Sequence, residues 1–91
     1  MFLLTRKESM AISTIHDALR EFRCKGMNAN VEMRSNSISI TFYPDTEKEA
    51  KKMQKLLCFF KDEDDDIHVK HYESSDDCPE FYKVQLEKYF V

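Results

Sequence analysis

The amino-acid sequence predicts a single small α+β domain that spans residues 1–91. A chain of 91 residues has room for one hydrophobic core. Its content of 42% hydrophobic and 12% aromatic residues is enough to drive the collapse of that core. Along the chain, apolar residues recur first with the period of a helix and then with that of a strand. We therefore expect a small antiparallel sheet with two helices on one face and a C-terminal helix, either ferredoxin-like (βαββαβ) or an αββαβα sandwich.

The first helix is predicted over residues 8–25. Its apolar residues recur at three- and four-residue spacings, which places them on one side of a helix. Gly26 follows at the position where a left-handed C-cap is wanted. The apolar side consists of Ala11, Ile12, Ile15, Ala18, Leu19 and Phe22.

A hairpin is predicted next, because residues 30–34 and 37–43 both alternate between polar and apolar side chains. Ser35 and Asn36 between them are typical turn residues. The two segments should therefore pair as antiparallel strands. Their shared apolar faces consist of Val31 and Met33 in the first strand and of Ile38, Ile40 and Phe42 in the second.

A second helix is predicted to begin at residues 46–49, which form a capping box, and to end near Lys61. The acidic run 62–66 should be a loop, because negative charge is disfavoured at the C-terminal end of a helix. The apolar side of this helix consists of Ala50, Met53, Leu56, Leu57 and Phe60.

The last third of the chain is predicted to contain a strand and a helix. Residues 67–72 alternate like a strand. Asp77 and Pro79 are typical of a helix start, which predicts a terminal helix over residues 79–90. The ferredoxin-like order further requires that residues 2–4 form an initial strand.

The charge is unevenly distributed along the sequence. Residues 1–61 contain 11 Lys and Arg against 7 Asp and Glu, whereas residues 62–91 contain 3 against 10. This asymmetry favours recognition of a charged partner, although mutual attraction between the two halves explains it as well. The longest apolar run is far shorter than the ~20 residues of a membrane span, and the three widely spaced cysteines favour free thiols. A cytoplasmic protein without membrane contact is expected.

No catalytic or metal site is predicted. His68 and His71 are three residues apart on a strand and should point to opposite faces, so a zinc site that also uses Cys78 is disfavoured. The acidic run lacks the ligand spacing of a calcium loop. Cys24 has no histidine placed by local spacing to activate it. We expect no cofactor and no enzymatic activity.

The leading hypothesis is a protein-binding module with a regulatory or inhibitory role. Its carboxylates would face a basic surface on another protein, and apolar residues of the terminal helix would complete the contact. A solvated acidic loop is the simpler alternative. Small cytosolic domains of this kind are common among phage-encoded inhibitors of host systems, which is an association only. The candidate partner-binding residues are Asp62, Glu63, Asp64, Asp65, Asp66, Asp76, Asp77, Phe81 and Phe90.

A nucleic-acid-binding module is the second hypothesis, and a homodimer is a further option. Four lysines lie on the side of the second helix away from its apolar residues, with an aromatic residue among them. Such a surface can contact phosphates and stack on a base. A merely solvated lysine face, with the aromatic residue packed under another element, is the alternative. The residues are Lys48, Lys51, Lys52, Lys55 and Phe59.

Overall fold

The computed structural model describes residues 6–90 as a helix and a hairpin followed by a second helix and a second hairpin. The α+β class expected from the sequence is confirmed. In chain order, the elements are α1 (Arg6–Cys24), β1 (Asn30–Met33), β2 (Ser37–Phe42), α2 (Glu47–Cys58), β3 (Asp66–Tyr72) and β4 (Phe81–Tyr89).

The four strands form one antiparallel sheet in the order β1-β2-β4-β3. The second strand of each hairpin is central, and β2 pairs with β4 in a register that places Ile40 opposite Leu86. The first strand of each hairpin is therefore an edge, β1 on one side and β3 on the other. The predicted hairpin around residues 34–37 is confirmed, with the Arg34 N–H donating to the Ser37 carbonyl at 2.8 Å.

Both helices cover the same face of the sheet. Every second residue of β2 and β4 faces them, since successive side chains of a strand point to opposite faces. Phe22 of α1 meets Phe42 of β2 edge to face, with ring centroids 4.8 Å apart. The core residues form one cluster, which consists of Ala11, Ile15, Ala18, Phe22, Ile38, Ile40, Phe42, Ala50, Leu57, Val84, Leu86 and Phe90.

The predicted helix ends are confirmed at two positions. Gly26 has a φ of +75°, and the Met27 N–H donates to the Phe22 carbonyl at 2.9 Å, which closes the last turn of α1. Thr46 is the N-cap of α2, because its hydroxyl accepts from the Glu49 N–H at 3.2 Å. Neither helix of the described chain has an apolar stretch long enough to cross a bilayer.

The prediction of a C-terminal helix over residues 79–90 is wrong, because residues 81–89 form β4, which pairs with two other strands. Val84, Leu86 and Phe90 lie on the buried face with period two. The inward position between Leu86 and Phe90 is occupied by Lys88, and this charge interrupts the apolar alternation in the sequence. Asp77 and Pro79, which are typical of a helix start, then favoured a helix over residues 79–90.

The ferredoxin-like order is not confirmed. In that order the final strand is an edge, whereas here β4 lies between β2 and β3. The αββαβα alternative has the correct first five elements and fails at the sixth, which is a strand. The initial strand proposed for residues 2–4 lies outside the described residues.

Candidate interaction surfaces

The charge asymmetry of the sequence becomes an asymmetry between the helices and the rest of the chain. The segments that carry the helices, residues 6–25 and 45–61, contain 10 Lys and Arg against 6 Asp and Glu. The remainder of the chain contains 4 against 11. The helices therefore have an excess of positive charge, and the strands and loops have an excess of negative charge, part of which lies beside α1 and the end of α2 in residues 62–66.

The acidic loop, defined as residues 62–66, is organised by a buried lysine. Lys88 is 3% exposed on β4, and its ammonium donates to the Asp65 carboxylate at 2.5 Å, the Phe60 carbonyl at 2.8 Å and the Asp62 carboxylate at 3.2 Å. Asp65 itself is 6% exposed. A buried ammonium requires such partners, since desolvation without them costs several kcal/mol or more. Lys88 thus neutralises the negative end of α2 together with the acidic residues that follow it.

The other carboxylates of the acidic loop differ in their contacts. The Tyr89 hydroxyl donates to Asp66 at 3.1 Å, and Lys7 approaches Asp64 to 4.0 Å. Glu63 is exposed and has no hydrogen-bond or ion-pair partner within residues 6–90. Some carboxylates of the acidic loop are therefore engaged in contacts within the protein, so the loop does not present all five of them outward.

The remaining candidates of the leading hypothesis do not form one patch with the acidic loop. Asp76 and Asp77 are exposed in the turn after β3, at the end of that strand opposite to the acidic loop. Seven residues of strand separate the two groups by roughly 20 Å. Phe81 stacks on Tyr72 with ring centroids 4.6 Å apart. Phe90 is 6% exposed in the core, so no terminal-helix surface is available to a partner.

The candidates of the second hypothesis do lie on one accessible surface, which we call the lysine surface. All four lysines are exposed, and a groove of about 510 Å³ lies among them. Only one of these lysines, Lys51, has an ion pair among the described residues, with Glu47 at 3.2 Å. Phe59 at the C-cap of α2 is 83% exposed, which rules out its packing under another element. The lysine surface consists of Lys48, Lys51, Lys52, Lys55 and Phe59.

A second groove adjoins Phe59. It has a volume of about 360 Å³ and lies between the C-terminal ends of α1 and α2. Its floor is apolar and its rim carries one charge of each sign. An aromatic or aliphatic group bound beside Phe59 would therefore find apolar contacts here. The groove is lined by Glu21, Phe22, Lys25, Leu56, Phe59 and Phe60.

The face of the sheet opposite the helices carries a polar network centred on Glu87. Its carboxylate accepts from the Ser37 hydroxyl and the Tyr89 hydroxyl, each at 2.8 Å, and lies 3.4 Å from His68 Nε2. Burial raises the pKa of Glu87, but the hydrogen bonds from Tyr89, Ser37 and His68 outweigh burial and hold the pKa below its usual range. The hydrogen bond to Glu87, together with burial, raises the pKa of Tyr89 to about 12.

The same face continues with a buried amide. Gln85 donates to the hydroxyls of Ser39 and Thr41, at 3.2 Å each. No buried side-chain nitrogen or oxygen in the described part of the chain is left without a partner. Sequence reasoning missed Glu87 and Gln85 because β4 was read as a helix. Read as a strand, the alternation of Lys83, Gln85 and Glu87 would have placed them on one polar face.

Two histidines lie on opposite faces of β3, as predicted from their spacing. His68 lies on the face opposite the helices, beside Glu87. On the other face, His71 Nε2 lies 2.7 Å from a Glu80 oxygen, and the ring of His71 stacks on Tyr82 at 4.6 Å. The hydrogen bond from Tyr82, with that from His71, lowers the pKa of Glu80. Within residues 6–90, no three His, Cys, Asp or Glu side chains are grouped to hold a metal ion.

Comparison with known proteins gives no relative to argue from. No protein-family model, no curated protein and no solved structure matches this chain.

Proposed function

We propose that this chain is a non-enzymatic binding protein that docks on a strand of nucleic acid through the lysine surface. The observation that carries the proposal is the exposure of Phe59, which is 83%. Burial of a Phe side chain contributes about 1.5–3 kcal/mol, and the folded monomer gains almost none of it here. A partner that covers this ring would gain that free energy on binding.

The lysines around Phe59 define the chemistry of the partner. Lys48, Lys52 and Lys55 have no ion-pair partner in the part of the chain that the structure describes, so their charges are available to an anion. Lys48 and Lys55 are seven residues apart, which corresponds to about 10 Å along the helix. Phosphates paired with these ammonium groups would bring a base within reach of Phe59. Stacking of a base on an aromatic ring is worth about 1–3 kcal/mol.

The overall charge of −3 does not oppose this proposal, because the negative excess lies in the strands and loops and not in the lysine surface. A positively charged surface orients its molecule in the field of a polyanion. The three exposed free cysteines suit a reducing cytoplasm, which we propose as the location.

A protein partner with a basic surface is the second candidate function, in a regulatory or inhibitory role. It is favoured by the carboxylates that Lys88 does not engage. Glu63, Asp76 and Asp77 are exposed and have no partner among residues 6–90. Such a partner would bind at one end of β3 or at the other, since the two groups are about 20 Å apart.

Fluorescence anisotropy with labelled single-stranded DNA and RNA tests the first candidate. We expect wild-type affinity to fall steeply between 50 and 200 mM salt, because counterions are released when lysines meet phosphates. Replacement of Lys48, Lys52 and Lys55 by Gln should weaken binding at least about tenfold and reduce the salt dependence. The matched control replaces Arg23, Arg34 and Lys83, outside the lysine surface, by Gln, and it removes the same total charge.

Two outcomes would contradict the nucleic-acid proposal. One is the absence of binding at 50 mM salt. The other is an equal loss of affinity in the control variant, because the effect would then reflect net charge and not the lysine surface. Capture of a basic protein that is lost in Glu63→Gln or in Asp76→Asn with Asp77→Asn would instead support the second candidate.

A further inference from the structure

β3 is an edge strand of the sheet that residues 6–90 form. β3 pairs with β4 on one side only, and none of the other described strands covers its outer side. Five of its seven residues are exposed, including Val69, which is 47% exposed on the face that the helices cover. A seven-residue edge with free backbone groups is a template for another strand.

We propose that β3 pairs antiparallel with β3 of a second copy, with His68 of each copy opposite His68 of the other. This inference goes beyond the proposed function and does not depend on it. The proposed register places Asp66 opposite Lys70 of the second copy and Ile67 opposite Val69. Two-fold symmetry makes each of these pairs occur twice.

The side chains that meet in this register are complementary in charge and polarity. Asp66 and Lys70 lie on the face opposite the helices, and Ile67 and Val69 lie on the face that the helices cover. Neither Asp66 nor Lys70 has an ion-pair partner within residues 6–90; Asp66 accepts from the Tyr89 hydroxyl, and the Lys70 ammonium lies over the Tyr72 ring at 4.9 Å. Cross-strand pairs of opposite charge or of two apolar residues each contribute roughly 0.2–1 kcal/mol.

Neighbouring registers are less favourable. A register centred on Val69 places His68 opposite Lys70 and contains no pair of opposite charges. A register centred on Ile67 pairs only three residues of the strand. The register centred on His68 pairs five residues, from Asp66 to Lys70, and every pair except the central one is complementary.

Pairing of the two edges would also combine the two lysine surfaces. The two-fold axis of an antiparallel strand pair is perpendicular to the sheet, so both helical layers lie on the same side of the eight-stranded sheet. Because α2 packs over β4 and β3, the two α2 helices would lie next to each other at a distance of roughly 10 Å or slightly more. The dimer would present a continuous positive surface to a polyanion.

Sedimentation equilibrium tests the association. We expect a particle of twice the 10.9 kDa chain mass. Lys70→Asp should raise the dimer dissociation constant at least about tenfold, because it replaces two attractive pairs with two repulsive ones. The exchange variant, Asp66→Lys with Lys70→Asp, should restore most of the affinity. Arg34→Asp is the control, since it makes the same charge change beside β1, at the opposite edge of the sheet.

Disulfide trapping tests the register in a chain whose Cys24, Cys58 and Cys78 are replaced by Ser. Air oxidation should cross-link His68→Cys efficiently and Val69→Cys poorly, because only residue 68 faces its own copy within disulfide distance. A wild-type chain that is monomeric at ~1 mM would overturn the proposal. A dimer that Lys70→Asp does not weaken would overturn it too, as would cross-linking at residue 69 in preference to 68. A monomer captured by another protein through this edge would likewise count against self-association.

Discussion

The Lys88 ammonium lies 2.5 Å from the Asp65 carboxylate, and both groups are almost fully buried. The pair joins β4 to the segment that follows α2, two parts of the chain that are 23 residues apart. The same ammonium also donates to the Phe60 carbonyl at 2.8 Å, so it provides a partner for a carbonyl at the C-terminal end of α2. The acidic run in the sequence is therefore explained in part by the fold.

Loss of the Lys88 charge should destabilise the protein strongly. Lys88→Met retains the length of the side chain but leaves the buried Asp65 carboxylate without its cation. Removal of one partner of a buried pair costs about 3–5 kcal/mol. We expect the free energy of unfolding, measured by urea denaturation at neutral pH, to fall by about that amount. Lys48→Met, on the exposed side of α2, should change it by less than about 0.5 kcal/mol.

The double variant Asp65→Asn with Lys88→Met separates charge from packing. It removes both charges but retains an oxygen that can accept from the Asp62 N–H, as the Asp65 carboxylate does at 2.8 Å. We expect it to recover at least about 1 kcal/mol relative to Lys88→Met. A single variant as stable as the wild type would show that the pair does not hold the acidic loop in place.

Stability should depend on the ionisation of Glu87. Its pKa is lower in the folded protein than in the unfolded chain, where a Glu titrates near ~4.3. Its contribution is therefore complete above that value and is lost as the pH falls through the lower folded pKa. The stability difference between wild type and Glu87→Gln should shrink as the pH falls below about 5. Chemical denaturation of both proteins at four pH values measures this difference in the free energy of unfolding.

A matched control for Glu87 is Glu63→Gln. Glu63 has no partner in the described chain, so its difference from the wild type should remain nearly constant over the same pH range. A parallel pH dependence of the two variants would show that the network around Glu87 does not stabilise the ionised form.

The sequence was informative where the signal is local. Thr46 caps α2 and Gly26 ends α1 because a few neighbouring residues determine those conformations. It was misleading at β4, where Lys88 occupies an inward position that only a distant Asp65 makes acceptable. The exposure of Phe59 could not be deduced either, since helical spacing gives a direction but not the neighbours that cover it.

The stability of the protein should depend on Gly26 through its backbone conformation alone. Its φ is +75°, and an added Cβ would meet no heavy atom within 4 Å. Gly26→Ala should therefore cost about 1–2 kcal/mol from the left-handed conformation without any steric clash. Gly26→Asn should cost less, because Asn tolerates this conformation better. Thermal denaturation of the three proteins provides the comparison, and equal stability of all three would contradict a conformational origin.

The two adjacent phenylalanines at the end of α2 should have opposite effects on stability and on binding. Phe60 is half-buried and its ring lies 5.9 Å from that of Phe22, so Phe60→Ala should destabilise the protein by about 2–4 kcal/mol. Phe59→Ala removes an exposed ring and should change stability by less than about 0.5 kcal/mol.

The same Phe59→Ala variant should weaken single-stranded nucleic-acid binding by about 1–3 kcal/mol if a base stacks on Phe59. Anisotropy titrations beside urea denaturation distinguish these effects, and a stable Phe59→Ala protein with unchanged affinity would remove Phe59 from the docking surface.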